Sequence, residues 1–176
     1  MLDIKLIEPT MDYAEDIWRF RQEIIDSDDN DKFAGCGNLD ICASPQEWIE
    51  AIRIGSDSST CPRDKVPSNI YIAVRESDNK IIGVIDLRHH INHPILRTWG
   101  GHIGYYVRPD ERKKGYATKM LNMNLENARN IGLKRVLITC SATNIASERT
   151  IVANGGLYDK DILVGDEVIK RFWIKL

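Results

Sequence analysis

Long apolar runs are missing from this 176-residue chain. A bilayer span asks for about 20 consecutive apolar residues, and no stretch approaches that, so no membrane partner is expected. Cysteine is scarce. Cys36, Cys42, Cys61 and Cys140 fall at spacings that match no zinc pattern and suggest no disulfide framework, so a reducing cytoplasm is the expected compartment. A surplus of one charge is absent as well: 24 Lys and Arg face 26 Asp and Glu, for a formal net charge of −2. Bulk attraction to nucleic acid or to an anionic membrane is therefore not expected. The opening MLDIKLIEP has neither the basic start nor the continuous apolar core of a secretory leader. No repeat, linker or low-complexity segment is apparent. What is present, 43% hydrophobic and 28% charged residues, suits one soluble globular domain over residues 1–176 that buries a core without disulfide or metal support.

Patterning divides the chain into strands and helices. Asp3 to Pro9 alternates as a short strand. Thr10 or Asp12 can cap a helix to about Ile25, burying Ile17, Trp18, Phe20, Ile24 and Ile25. Asp26 to Asn38 is an acidic, glycine-bearing loop whose charges are expected to be solvated. Ser44, Pro45 and Glu47 open a second helix that ends near Gly55. After a long loop, Ile70–Glu76 and Lys80–His89 form a hairpin across Ser-Asp-Asn, and Gly100–Val107 is the next strand. A helix from Gly115 to Asn130 has Ala117, Met120, Leu121, Leu125 and Ala128 on one face. Leu133–Ser141 reads as a buried strand, Asn144 opens a helix closed by Asn154–Gly156, and a hairpin around Gly165-Asp166 ends the chain. Strands alternating with helices from Gly101 onward imply a partly parallel sheet with helices packed on it.

The chemistry concentrates in VRPDERKKGYATKML, Val107 to Leu121. Here an arginine and two lysines precede a glycine at a helix start, where the dipole is already positive. A bound anion resolves this, because a glycine admits close backbone approach and free first-turn amides hold phosphate. The glycine and lysine spacings of a nucleotide P-loop are absent, and so are the three spaced glycines of a dinucleotide fold.

Together, GGHIGYYVRPDERKKGYATKML and VLITCSATNIASERTIVANGG resemble the central motif of the GNAT superfamily of acyl-CoA-dependent N-acetyltransferases. Val107, Pro109, Arg112, Gly115, Ala117, Asn144 and Gly155 fall in its register. The resemblance implies an α/β fold of α+β type: one domain with a mostly antiparallel central sheet, a splayed parallel strand pair and helices on both faces. It implies acetyl-CoA as acyl donor, with its pyrophosphate on the amides of Arg112, Lys113, Lys114, Gly115, Tyr116 and Ala117, and Thr118 as a hydroxyl donor. The pantetheine arm would pair with the backbone of Tyr105, Tyr106 and Val107 and touch Asn144. Acetyl transfer to a primary amine of a small molecule or peptide follows from it. A catalytically silent acyl-CoA-binding sensor is the alternative.

Catalytic groups depart from the family pattern. The usual base, a glutamate five residues before the strand's valine, is here His102, an imidazole able to take a proton near neutral pH. The usual acid, a tyrosine seven residues past the asparagine, is here Ile151, which leaves Tyr158, Tyr106 or water in its place. Asp86, Arg88 and His89, on a strand that borders the acceptor cleft in the family, are the expected acceptor-binding residues, with an Asp86–Arg88 structural ion pair as the plainer reading. His90 and His93 lie close by, but no ligand spacing is met and no metal is expected. A second copy of the chain is carried as a candidate partner.

Overall fold

The computed structural model describes residues 3–176; the first two positions of the opening stretch fall outside it. Among the described residues, seven strands and four α-helices follow one another: β1 (Ile4–Ile7), α1 (Ala14–Asp26), α2 (Pro45–Ser56), β2 (Ser68–Arg75), β3 (Lys80–Arg88), β4 (Tyr105–Val107), α3 (Tyr116–Asn130), β5 (Arg135–Ser141), α4 (Ile145–Ala153), β6 (Leu157–Val164) and β7 (Glu167–Lys175). The strands form two ladders, β1-β2-β3-β4 and β5-β7-β6. Each of these pairings is antiparallel. The expected parallel pair, β4 beside β5, forms no ladder, and the sheet is parted there.

Two apolar clusters sandwich the first ladder. On one face α3 contributes Met120, Leu121, Leu125 and Ala128, and α4 contributes Ile151, against Ile82, Ile85, Val136, Ile138 and Phe172. On the other, Ile17, Phe20 and Ile24 of α1 and Trp48 of α2 cover Ile70, Ile72, Val74, Ile81 and Val84. Helices thus lie on both faces, and the side chains of β4 divide between them: Tyr105 packs on the α3–α4 side and Tyr106 on the α1–α2 side.

Several local expectations are corrected. Neither Thr10 nor Asp12 caps α1: Met11–Tyr13 form a separate 3-10 turn that contains Asp12 and follows Thr10, and the N-cap of α1 is Tyr13, with no side-chain bond. Ile25 is exposed and Trp18 only half-buried. The strand read from Gly100 to Val107 is regular only over Tyr105–Val107. Leu96–Gly100 coil into a π-helical turn, and Gly101 leaves it at φ 68°, a left-handed conformation that breaks the strand. Sheet-like bonds with β3 nevertheless continue, from Asp86 N–H to the Gly104 carbonyl (3.0 Å) and from Arg88 N–H to that of His102 (2.8 Å). The capping box of α2 is as read: Ser44 Oγ accepts from Glu47 N–H, and Glu47 accepts from Ala43 N–H.

Candidate active site

The parting of the sheet makes a groove with one open strand edge. Arg108 N–H donates to Ile82 and Gly104 C=O accepts from Asp86, so these alternate positions face β3. Strand alternation then directs the N–H and C=O of Tyr105 and Val107 away from β3, to the open edge. At the far end of this edge lies the start of α3. Its N-cap is Gly115 at φ 89°, and no side chain caps it. By contrast, Ser44 caps α2 and Asn144 caps α4. The first-turn amides of α3 have no intrahelical acceptors, and a left-handed glycine leaves them open to an anion. Lys113 is also left-handed, at φ 60°, so the backbone from Arg112 to Ala117 curls tightly.

The basic side chains of this turn have protein partners. Arg112 makes a bidentate pair with Asp29 (2.7 and 2.6 Å), donates through Nε to the Val107 carbonyl (3.0 Å) and lies over the Tyr106 ring. The guanidinium holds the Asp29 carboxyl well below the usual carboxylate range. Lys114 pairs with the buried Glu111, which also takes Arg75 and Lys80. Burial works against that carboxylate, but its cationic partners hold its pKa down to about 2. Tyr116 contributes only backbone to the turn, since its hydroxyl meets Arg75 inside. Thr118 stands in the first turn of α3.

The acidic loop after α1, expected to be solvated, crosses the groove instead. Asp29 reaches Arg112 and Tyr106 on the β4 side, and Asp31 accepts from Asn144 Nδ2 (2.8 Å) on the α4 side. Further along, the loop backbone presses on the residue before β4: a Cβ on Gly35 would come within 2.1 Å of the Gly104 carbonyl oxygen. Sequence reading missed Asp29, Asp31 and Ser147 as members of the site. Opposite charge on two loops was the available signal for the aspartates.

His102 is bonded to Leu137 through both its backbone and its ring. Its N–H donates to the Leu137 carbonyl (2.8 Å), and Leu137 N–H donates to its Nδ1 (2.9 Å), so it ties the lead-in of β4 to β5 where the sheet parts. The neutral ring then carries its hydrogen on Nε2 and has no free lone pair. Burial pushes its pKa down to about 4. Tyr158 is 58% exposed on the outer strand β6, its hydroxyl on Asp161. Tyr106 donates to Asp29 on the α1–α2 side, and burial raises its pKa. Ile151, at the family's acid position, is fully buried.

The acceptor-side residues are mutually satisfied. Asp86, 5% exposed, pairs with Arg88 (2.9 Å) and accepts from Gly104 N–H (2.5 Å), and burial raises its pKa. Arg88 also holds the carbonyls of Gly100 and Gly101, and His89 Nε2 bonds to Asn69 (2.7 Å). Asp86 and Arg88 form the ion pair of the plainer reading, beside β4. No group of three or more His, Cys, Asp or Glu among the described residues could hold a metal ion.

The fold is shared with solved structures. The microcin self-immunity acetyltransferase MccE, in complex with acetyl-CoA and AMP, superposes with a TM-score of 0.68 at 18% identity, over 99% of this chain and 93% of that one. RimL, a ribosomal-protein α-N-acetyltransferase in complex with coenzyme A, gives 0.67 at 13% identity, over 100% and 96%. A chimeric spermidine N-acetyltransferase built from the Vibrio cholerae enzyme gives 0.67 at 13%, over 98% and 95%. No curated protein matches the sequence. A family model for the acetyltransferase (GNAT) domain matches residues 10–156, and with the motif register of Val107 to Gly155 and the parted sheet it establishes that the chain belongs to the GNAT acetyltransferase family.

Proposed function

We propose that the protein transfers an acetyl group from acetyl-CoA to a primary amine of a small molecule or peptide. The observation that carries this reading is the uncapped, glycine-led start of α3 at the end of the open edge of β4. The amides of Arg112 to Ala117 suit a pyrophosphate, and the outward N–H and C=O of Tyr105 with the outward N–H of Val107, whose carbonyl accepts from Arg112, suit an amide-bearing pantetheine arm. Acetyl-CoA brings the activated thioester. The protein's part is to orient it along the open edge, to polarise its carbonyl with a backbone N–H of β4, and to exclude water with the loop that spans Asp29 to Asn38.

The amine enters from the α1–α2 side and gives its proton to water, since the His102 lone pair is occupied. Proximity and carbonyl polarisation then supply much of the rate. The named neighbours take unlike acceptors, spermidine in one and a ribosomal-protein α-amine in another, which supports an amine as the shared class. Four free cysteines are in keeping with a cytoplasmic setting. The test is release of free thiol from acetyl-CoA across a panel of polyamines, amino acids and peptides. Thiol release with at least one amine, and N-acetyl product by mass, is the expected result. Acetyl-CoA binding with no product from any amine would favour the second reading, a silent acyl-CoA sensor, which the buried Ile151 and the engaged His102 support.

A further inference from the structure

We propose that Tyr105 donates the proton taken up by the coenzyme A thiolate as the thioester breaks, with Ser147 holding its phenol in place. This rests on the acetyl-transfer reading above. The family's acid position is the apolar, fully buried Ile151, packed beneath Gly156. Another O–H group must face the groove if the thiolate is to be protonated by the protein. Tyr106 is committed to Asp29 on the opposite face, and Tyr158 stands on the outer edge of the second sheet. Tyr105 leaves β4 on the α3–α4 side and crosses the parting of the sheet. Its hydroxyl lies 2.8 Å from Ser147 Oγ and 3.4 Å from the Ser147 carbonyl, in the first turn of α4. Ser147 N–H is itself the donor to the Asn144 cap, 3.0 Å away. The phenol therefore reaches from the open edge of β4 to the helix that bears Asn144, across the space suited to the end of the pantetheine arm.

The proton affinities are compatible. Burial pushes the Tyr105 pKa up to about 12, so the phenol holds its proton at neutral pH. The same surroundings raise a thiol: Cys140 of β5, a neighbour of Tyr105, is pushed up to about 11, again by burial. A thiolate released there is a far better base than one in water, and a phenol can serve it. The step balances as follows. The amine nitrogen attacks the thioester carbonyl, the C–S bond breaks, and its electron pair stays on sulfur. Sulfur takes the Tyr105 proton while the new amide nitrogen gives one proton to water. The phenolate then regains a proton from water by way of the Ser147 hydroxyl, leaving the N-acetyl product and free coenzyme A.

Tyr105→Phe keeps the ring and removes only the O–H, and circular dichroism checks that the fold is retained. The first readout needs no acceptor: the pKa of the thiol of coenzyme A bound to the protein, from the ultraviolet absorbance of the thiolate. Loss of a donor to the thiolate should raise that pKa by about one unit in the variant. The second readout is turnover with the best amine of the panel. Here kcat should fall about 100-fold while calorimetric acetyl-CoA affinity stays at the wild-type value. Ser147→Ala should move both readouts the same way by less. An unchanged bound-thiol pKa, or a raised one with wild-type kcat, overturns the role of Tyr105. Failure of the wild type to bind coenzyme A overturns the acetyl-transfer reading itself, and this inference with it.

Discussion

His102 shows how a motif position and a side chain's role can separate. The register places it where relatives keep a base, and the backbone there does run beside β3. Gly101 just before it is left-handed at φ 68°, and the imidazole accepts from the Leu137 amide. A depressed histidine pKa has a defined consequence for stability. Unfolded, the ring titrates near 6.5; folded, burial brings it to about 4. Between those values the unfolded chain binds more protons, so stability is fully present above about pH 6.5 and is lost as pH falls toward 4. Melting temperatures of wild type and His102→Gln across this window should differ in slope, with the acid-side decline shallower in the variant. Its kcat at pH 7.5 should stay within about twofold of wild type, because Gln can still accept from Leu137 through its side-chain oxygen. A large loss of kcat with unchanged acetyl-CoA affinity would restore His102 as a catalytic group.

Among the elements, the loop after α1 links the two sides of the groove. Its carboxylates meet Arg112 and Asn144, which stand on either side of the parting. The sequence made the helices and most strands legible, because apolar spacing and the Ser44–Glu47 box are local signals. It made the start of α3 legible too, through Gly115 and its register. The loop's partners were not legible: Asp29 and Arg112 are far apart in the chain, and a run of aspartates is ordinarily solvated. Arg108, fully buried between Asp16 and Glu23, was hidden for the same reason. A double-mutant cycle with Asp29→Asn and Arg112→Ala, read by urea unfolding, should give a coupling of about 1 kcal/mol. That lies low in the usual range because both side chains are partly exposed and screened by water. The Asp29 pKa is depressed, so the pair is intact above the ordinary carboxylate range and weakens only in acid, as Asp29 is protonated. A coupling near zero at neutral pH would mean that the loop is not held by this pair.

For the molecule as a whole, two half-sheets meet at a seam where His102 and Leu137 exchange hydrogen bonds, and the groove opens beyond it. The sequence carried the layer order but not the extent of the opening, because the shortness of β4 follows from the π-helical turn and Gly101 ahead of it. The central claim is that this opening, headed by Gly115, binds the pyrophosphate of acetyl-CoA. It is tested most directly by calorimetry of acetyl-CoA and of acetyl-pantetheine, which lacks the pyrophosphate, on wild type and Gly115→Val. A valine at φ 89° is strained and brings a side chain to the anion turn, so thermal unfolding must first show the variant folded. The wild type should prefer acetyl-CoA by well over tenfold, at about 1.4 kcal/mol per factor of ten, and the folded variant should lose most of that preference. Equal affinities for the two ligands in the wild type, or an undiminished preference in the variant, would contradict the account.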